Sequence, residues 1–397
     1  MEDFKIKSIS ISGIGGIANL SLEFNEGMNI ICGSNGVGKT TILECISHAF
    51  VTKNTTVLKK NVNVPEGFCS LTIKDGSKLA PVSVSYKLQS FTPTGQKDFV
   101  NALSNYSMNI LFFTEIRSIA YSELKNLPKD PDKLSSDTAS DAYNGVSSSD
   151  IKAWFIHRYL WSAHKDALQN EQMNNLSCGK KIFSVLDPEV SFSRIAMDTN
   201  DIMVKTKQGE VYFEYLSSGY KSCVYILLGI IKEIEFRFKN PCINIGDFSG
   251  IILIDEIDVH LHPQWQESLV RALRVFFPKA QIIATTHSPS IIQCANANEI
   301  IPLEFDVHNN VVLRKFNVGE YGFQGWSIEE ILTDVMGMKA IRSDLFTSTL
   351  RDFDRAVDDG NLQLAQESYV KLDKMLHPKN HLRKLLEISM IGIGKDD

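Results

Sequence analysis

Apolar and polar residues alternate at the start of the chain. Phe4, Ile6, Ile9 and Ile11, then Leu20, Leu22 and Phe24, predict strands leading to a buried strand over 28–32. A glycine-rich turn follows. Ile42, Leu43, Ile46, Ala49 and Phe50 then recur at helical spacing and predict a helix over 39–50. From 51 to 215 the pattern is interrupted by Pro65, Pro81, Pro93, Pro128, Pro131 and Pro188, with short strand-like runs at 68–73, 82–88 and 110–113. Residues 128–150 are rich in Ser, Asp and Pro and read as a surface loop or mobile insert. A helix is expected near 151–169, carrying Trp154, Phe155, Tyr159 and Trp161. Beyond 211 the order becomes regular: helix 221–238, strand 251–254, helix 264–276, strand 281–285. That alternation predicts an α/β fold with a parallel sheet flanked by helices. The tail, 326–397, reads as helical. Leu362, Ala365, Tyr369, Leu372 and Leu376 form one apolar stripe after Gly360, which suits a helix packed on its own domain or an oligomer or partner contact.

Composition narrows the class. The chain has 397 residues, 43% hydrophobic and 22% charged, enough for a large core. Length alone suggests about two to three domain-sized units. Lys and Arg number 41 against 47 Asp and Glu, a net charge of -6, which argues against a small basic nucleic-acid binder and leaves open a local basic groove. The longest apolar run, near 224–231, is far shorter than the roughly 20 residues of a membrane span. The opening residues have no signal-peptide pattern, and the seven cysteines contain no CxxC pair. The expected setting is therefore the reducing cytoplasm, with no membrane.

Three segments carry chemistry. Gly33-Ser34-Asn35-Gly36-Val37-Gly38-Lys39-Thr40 matches GxxxxGK[ST] between a strand and a helix, with Thr41 next in the helix. Its backbone N–H groups and helix N-terminus suit phosphate, Lys39 suits the β- and γ-phosphates, and the Thr40 hydroxyl suits Mg²⁺. Residues 251–254 are apolar and deliver Asp255 and Glu256 to a strand end, where ligands bind in open α/β sheets. Asp255 is expected to hold Mg²⁺ through water, and Glu256 to take a proton from attacking water or orient it. Leu216-Ser217-Ser218-Gly219-Tyr220-Lys221 opens another helix and forms a second, weaker anion cradle.

In this order the motifs resemble the ABC-type ATPases, in particular the SMC/RecF/OLD-like branch. Leu216 to Tyr220 looks like the LSGGQ signature, with Ser218 and Tyr220 departing from it. Asp255 and Glu256 match the Walker B pair, Asp258 falls at the D-loop, and His287 in Thr285-Thr286-His287-Ser288-Pro289 looks like the switch histidine. No Q-loop glutamine is clear. The resemblance implies a P-loop ABC-type ATPase head with a mixed or parallel sheet flanked by helices. The ATPase domain would cover 1–325, with motifs in 1–60 and 210–305 and a short α/β insert at about 61–209. A helical C-terminal region would cover 326–397.

The resemblance also implies ATP and Mg²⁺ as cofactors. Lys39, Glu256 and His287 would be catalytic, Ser217, Ser218, Gly219 and Asp258 would contact nucleotide, and Thr40 and Asp255 would hold metal. It implies a head-to-tail homodimer or higher oligomer in which one copy's Ser217 and Gly219 complete the other's site. Only about 165 residues, 51–215, lie between the helix after the phosphate loop and the signature, without heptads, so long coiled-coil arms are excluded. The remaining likeness is to the ATPase subunits of bacterial antiphage defence, the PtuA-like subunits of Septu and retron modules, which work with an HNH nuclease. The alternatives are a RecF-like DNA-repair ATPase binding duplex DNA and a nucleotide-locked scaffold with little turnover. Two further segments stay open. Arg117, beyond the run 110–113, suits either phosphate or nucleic acid or a structural pair with Glu115. The cations and aromatics of 151–165 suit either base stacking or a helix docked on the core.

Overall fold

The N-terminal alternation folds as β1 (Phe4–Ile14) and β2 (Ile17–Glu23). The buried side of β1 changes phase, from Phe4 and Ile6 to Ile9 and Ile11, because a β-bulge between Ile6 and Ser8 adds one residue to the strand. A computed structural model describes residues 3–51, 57–92, 103–117, 121, 123–124, 126–147, 149–315, 318–338 and 341–393. After β2 come β3 (Met28–Gly33), α1 (Lys39–His48), β4 (Gly67–Asp75), β5 (Val82–Leu88) and β6 (Ile110–Phe113). Next are α2 (Ser135–Asn144), α3 (Ile151–Trp161), α4 (Asn170–Leu186), β7 (Ser191–Ala196), β8 (Asp201–Thr206) and β9 (Gly209–Tyr212). Then follow α5 (Ser218–Arg237), β10 (Ile251–Ile254), α6 (Pro263–Phe276), β11 (Gln281–Thr285), α7 (Pro289–Gln293), β12 (Ile300–Phe305) and β13 (Val311–Leu313). The chain continues with the short α8 (Ile328–Glu330) and a π-helical turn, Ile331–Val335, and then α9 (Asp344–Asp358), α10 (Leu362–Met375) and α11 (Leu382–Ile393).

Two units divide the chain, Met1–Gly337 and Met338–Asp397. The first is organised by a six-stranded sheet in the order β13-β12-β3-β11-β10-β6. It is parallel except for the antiparallel edge strand β13, so the sheet is mixed. Alternate residues of β10 enter different cores. Ile252 and Ile254 pack with α3, α4, α5 and α6, and Ile251 and Leu253 pack with α1 and the four-stranded antiparallel sheet β2-β1-β4-β5. All four are fully buried, each stabilising the fold by roughly 1.5–3 kcal/mol relative to exposure. A strand buried on both faces has no polar position, which is why this run reads as continuous apolar residues.

The stretch 61–209 is distributed through this unit. β4 and β5 extend the sheet of β1, β6 enters the central sheet, and β7, β8 and β9 form a separate three-stranded antiparallel sheet. The helix expected over 151–169 ends at Trp161, and Asp166 takes a left-handed φ of 61° before α4 begins. Its cations largely turn inward. Arg158 Nε donates to Glu235 Oε2 at 2.6 Å, and Lys152 pairs with Asp201 and with Glu214 at 2.8 Å. The docked-helix reading of this segment therefore holds for Lys152 and Arg158. α5 is buried nearly throughout, and its interior charges are paired, Arg237 with Glu233 at 3.1 Å among them.

The second unit has its own core, built by Phe346, Phe353, Ala356, Ala365, Leu372, Leu376 and Leu386. In α10 the apolar stripe buries Ala365 and Leu372, whereas Leu362, at its first position, is exposed. Residues 326–337 lie in the first unit, where Trp326, Ile331 and Val335 join the core of α5 and α6.

Candidate functional site

The phosphate loop is built by backbone conformations that side chains resist. Gly33 closes β3 at φ 143°, where a Cβ would stand 2.3 Å from the Leu303 carbonyl oxygen. Gly38 turns the chain into α1 at φ 93° and, lacking a side chain, offers no cap to the first helical N–H groups. Those donors and the helix dipole suit the turn to an anion. Lys39, only 6% exposed, donates through Nζ to the carbonyls of Gly33 and Ser34, both at 3.0 Å. Burial pulls its pKa down, opposed by Cys32, Glu256, Asp255 and Asp258. Val37 is fully buried in the core beside α1, so only its backbone is available to a ligand.

β10 and β11 run parallel and deliver their ends together. Asp255 Oδ1 accepts hydrogen bonds from Thr285 Oγ1 at 2.6 Å and from Thr40 Oγ1 at 3.2 Å. Burial raises the Asp255 pKa, the two threonine hydroxyls lower it, and Glu115 raises it again. Glu256 sits at a left-handed φ of 45°. One cavity is lined by Asn35, Gly36, Gly38, Lys39, Thr40, Thr41, Glu256 and His287. Burial and the charge of Lys39 push the His287 pKa down, against Asp258, Glu256 and Asp255.

Asp258 holds the backbone of His287, which lines this cavity. Its Oδ1 accepts from Thr286 Oγ1 at 2.6 Å and from the His287 N–H at 3.2 Å, tying the turn after β10 to the turn after β11. Ser217 and Ser218 are exposed, and Ser217 Oγ caps α5 by accepting from the Tyr220 N–H at 3.4 Å. Gly219 is packed so closely that a Cβ would lie 2.6 Å from the His260 carbonyl oxygen. None of these three lines the cavity of Lys39. Tyr220 is a core residue, its hydroxyl donating to the Phe183 carbonyl at 2.8 Å. His262 Nδ1 accepts from the Gln264 N–H at the start of α6, and His260 is exposed. Among the described residues no cluster of three or more His, Cys, Asp or Glu has metal-holding geometry.

Two participants escaped the sequence reading. Thr285, in the last position of β11, bonds the Asp255 carboxylate and the Glu256 N–H just beyond β10. Glu44 is held up at about 7, by burial first and then by Asp255 and Glu115. Its spacing of four from Thr40, one helical turn on the same face, was the available signal. Arg117 is 8% exposed and bonds backbone carbonyls rather than Glu115.

Two family profiles match the chain: "AAA domain" over residues 8–173, and "AAA domain, putative AbiEii toxin, Type IV TA system" over residues 112–293. The Septu protein PtuA of Bacillus thuringiensis is 44% identical over 391 residues, 98% of this chain and 98% of that protein. The Septu protein PtuA of Bacillus mycoides (strain KBAB4) is 28% identical over 83% of this chain and 44% of its own length. The Retron Ec83 probable ATPase of Escherichia coli is 33% identical over 106 residues, 27% of this chain and 18% of that protein. With a phosphate loop, an acidic strand end and a histidine turn in one cavity, and near full-length likeness to a PtuA at 44% identity, the chain belongs to the Septu PtuA family and carries an ATPase domain of the AAA type.

Proposed function

We propose that this chain is a cytoplasmic, Mg²⁺-dependent ATP hydrolase that closes as a head-to-tail dimer and controls a partner nuclease of the HNH type in antiphage defence. The observation that carries the chemistry is the convergence of Lys39, Thr40, Glu256 and His287, from three separate segments, on one cavity beside Asp255. The loop N–H groups and Lys39 bind the phosphates. Thr40 Oγ1 and Asp255 Oδ1, 3.2 Å apart, form an oxygen donor set suited to a hard divalent cation. When bound, that ion neutralises developing charge on the β- and γ-phosphates.

Glu256 accepts a proton from water as the water oxygen bonds to the γ-phosphorus. The bond from that phosphorus to the bridging oxygen breaks, leaving ADP and phosphate. His287, held by Asp258, faces the same space and hydrogen-bonds the transferring group. Ser217 and Ser218 are exposed at the N-terminus of α5 and lie outside this cavity, so a second copy is the natural source of a signature face for it.

The test is co-purification with the product of the neighbouring gene, followed by mass measurement with and without ATP. The reading expects a nuclease partner and an ATP-dependent change in assembly. A mass that ignores ATP removes the dimer-switch part, and salt-dependent duplex binding without a nuclease partner supports the repair reading instead.

A further inference from the structure

Glu256 must hold a left-handed backbone conformation, at φ 45°, that a residue with a long side chain rarely adopts. Its peptide groups are secured from two sides. From β11, Thr285 Oγ1 accepts the Glu256 N–H at 2.7 Å. From beyond β6, Arg117 closes the other side: Nη2 donates to the carbonyls of Asp255 and, at 3.1 Å, Glu256, and Nε donates to the Thr114 carbonyl at 3.0 Å. β6 is the parallel neighbour of β10, with Phe113 opposite Ile254 and the Asp255 N–H bonded to the Phe113 carbonyl at 2.8 Å. Arg117 thus staples two adjacent strand ends just where the ladder stops.

A guanidinium is a costly way to do only that. Arg117 is buried, its Nη1 has no hydrogen-bond partner among the described residues, and no carboxylate there forms an ion pair with it. What it supplies is a rigid planar fork that reaches several carbonyls at fixed angles, which a lysine ammonium cannot reproduce. Its nearest charged and polar surroundings include Asp255 and Asp258 and, on α5, Tyr225 and Cys223. The arginine therefore stands between the helix that begins at Ser218 and the strand end that carries both acids.

We propose that Arg117 is a positioning residue for hydrolysis: acting through the backbone carbonyls of Asp255 and Glu256, and opposite Thr285, it fixes the direction in which the Glu256 carboxylate meets the attacking water. This rests on the hydrolase reading of the site, and the test separates the two.

The full chain, alone and with its neighbouring gene product, is assayed for binding of a fluorescent ATP analogue and for single-turnover ATP hydrolysis. The variants are Arg117→Ala, Arg117→Lys, Glu256→Gln and the double variant Arg117→Ala/Glu256→Gln. Arg117→Ala is expected to slow hydrolysis about 100-fold while nucleotide affinity stays within about threefold of wild type. Arg117→Lys recovers little of the rate, and it is the variant read if Arg117→Ala does not fold. In the Glu256→Gln background, loss of Arg117 adds nothing further. Wild-type turnover in Arg117→Lys, a parallel fall of affinity and rate, or multiplicative effects in the double variant overturns the proposal. If wild type does not hydrolyse ATP, or Glu256→Gln matches it, the hydrolase reading itself fails, and the role of Arg117 with it.

Discussion

The hydroxyl of Thr285 donates to Asp255 Oδ1 at 2.6 Å and at the same time accepts the N–H of Glu256 at 2.7 Å. One oxygen atom on β11 thereby holds the carboxylate of Asp255 and the backbone of Glu256, the two residues that follow β10. Thr285 is fully buried, so its bonds are shielded from water.

Thr285→Val keeps the shape and removes the hydroxyl. It leaves the Glu256 N–H without its acceptor and Asp255 Oδ1 with one donor fewer. The expected cost is about 1–3 kcal/mol of folding stability, read by denaturant unfolding, together with a loss of metal-dependent turnover. Unchanged stability and turnover would show that the hydroxyl is dispensable.

Lys39 bonds two loop carbonyls and is the cation of the cavity. Lys39→Ala should weaken nucleotide binding by roughly 10- to 100-fold, the equivalent of losing a charge-assisted contact of about 1.5–3 kcal/mol. Calorimetric titration with ATP decides it, and retained affinity would contradict the phosphate-loop assignment. Glu256→Gln should instead preserve binding and reduce turnover by about 10²–10⁴-fold, holding ATP in a closed dimer.

Gly219 and its exposed neighbour separate packing from assembly. Gly219→Ala drives a Cβ to 2.6 Å from the His260 carbonyl and 2.9 Å from the Trp265 ring, costing about 1–3 kcal/mol by overpacking. Ser218→Ala, on the exposed side, should leave stability within about 0.5 kcal/mol. If a second copy completes the site, Ser218→Ala lowers ATP-dependent dimerisation all the same, measured by light scattering. Intact dimerisation in that variant would argue against Ser218 as a contact.

Glu44 makes stability depend on pH. Its folded pKa, about 7, lies above the ordinary glutamate value of 4.5, chiefly because burial disfavours the charge. The folded state therefore holds a proton that the unfolded state has released between those values. Stability of the metal-free, nucleotide-free protein should fall as pH rises from about 4.5 to about 7 and level off above. The contribution is on the order of 2–3 kcal/mol, reduced where solvent reaches the group. Denaturation midpoints across that range measure it, and Glu44→Gln should flatten the slope. An unchanged slope in the variant would assign the dependence to another group.

Much of the site was legible because it is local in the chain. A strand, a glycine turn and a helix are contiguous in residues 28–50, so their spacing alone defines a phosphate cradle. Four apolar residues followed by Asp255 and Glu256 likewise declare a buried strand with an acidic end. The helix expected to reach 169 shows the limit of such reading. Ala163, Ala167 and Leu168 continue past Trp161, but no periodicity reports the left-handed turn at Asp166. The polar strand β7, only half-buried at Ser191, Phe192 and Ser193, gave too weak an alternation to be seen.

By itself, then, the sequence determined the residue types of each segment: a glycine-rich turn with Lys39 and Thr40 at 33–40, two acids after residue 254, a histidine turn at 287 and a serine-glycine turn at 217–219. Only the tertiary structure decided which of these meet. It set β6 beside β10, so that Arg117 reaches carbonyls 138 and 139 residues away, and it ranked Thr285 with the acids and Tyr220 with the core. The physical reason is that periodicity records which side of an element is buried, whereas sheet order and strand-end contacts are selected by the packing of distant segments, which leaves no spacing in the chain to read.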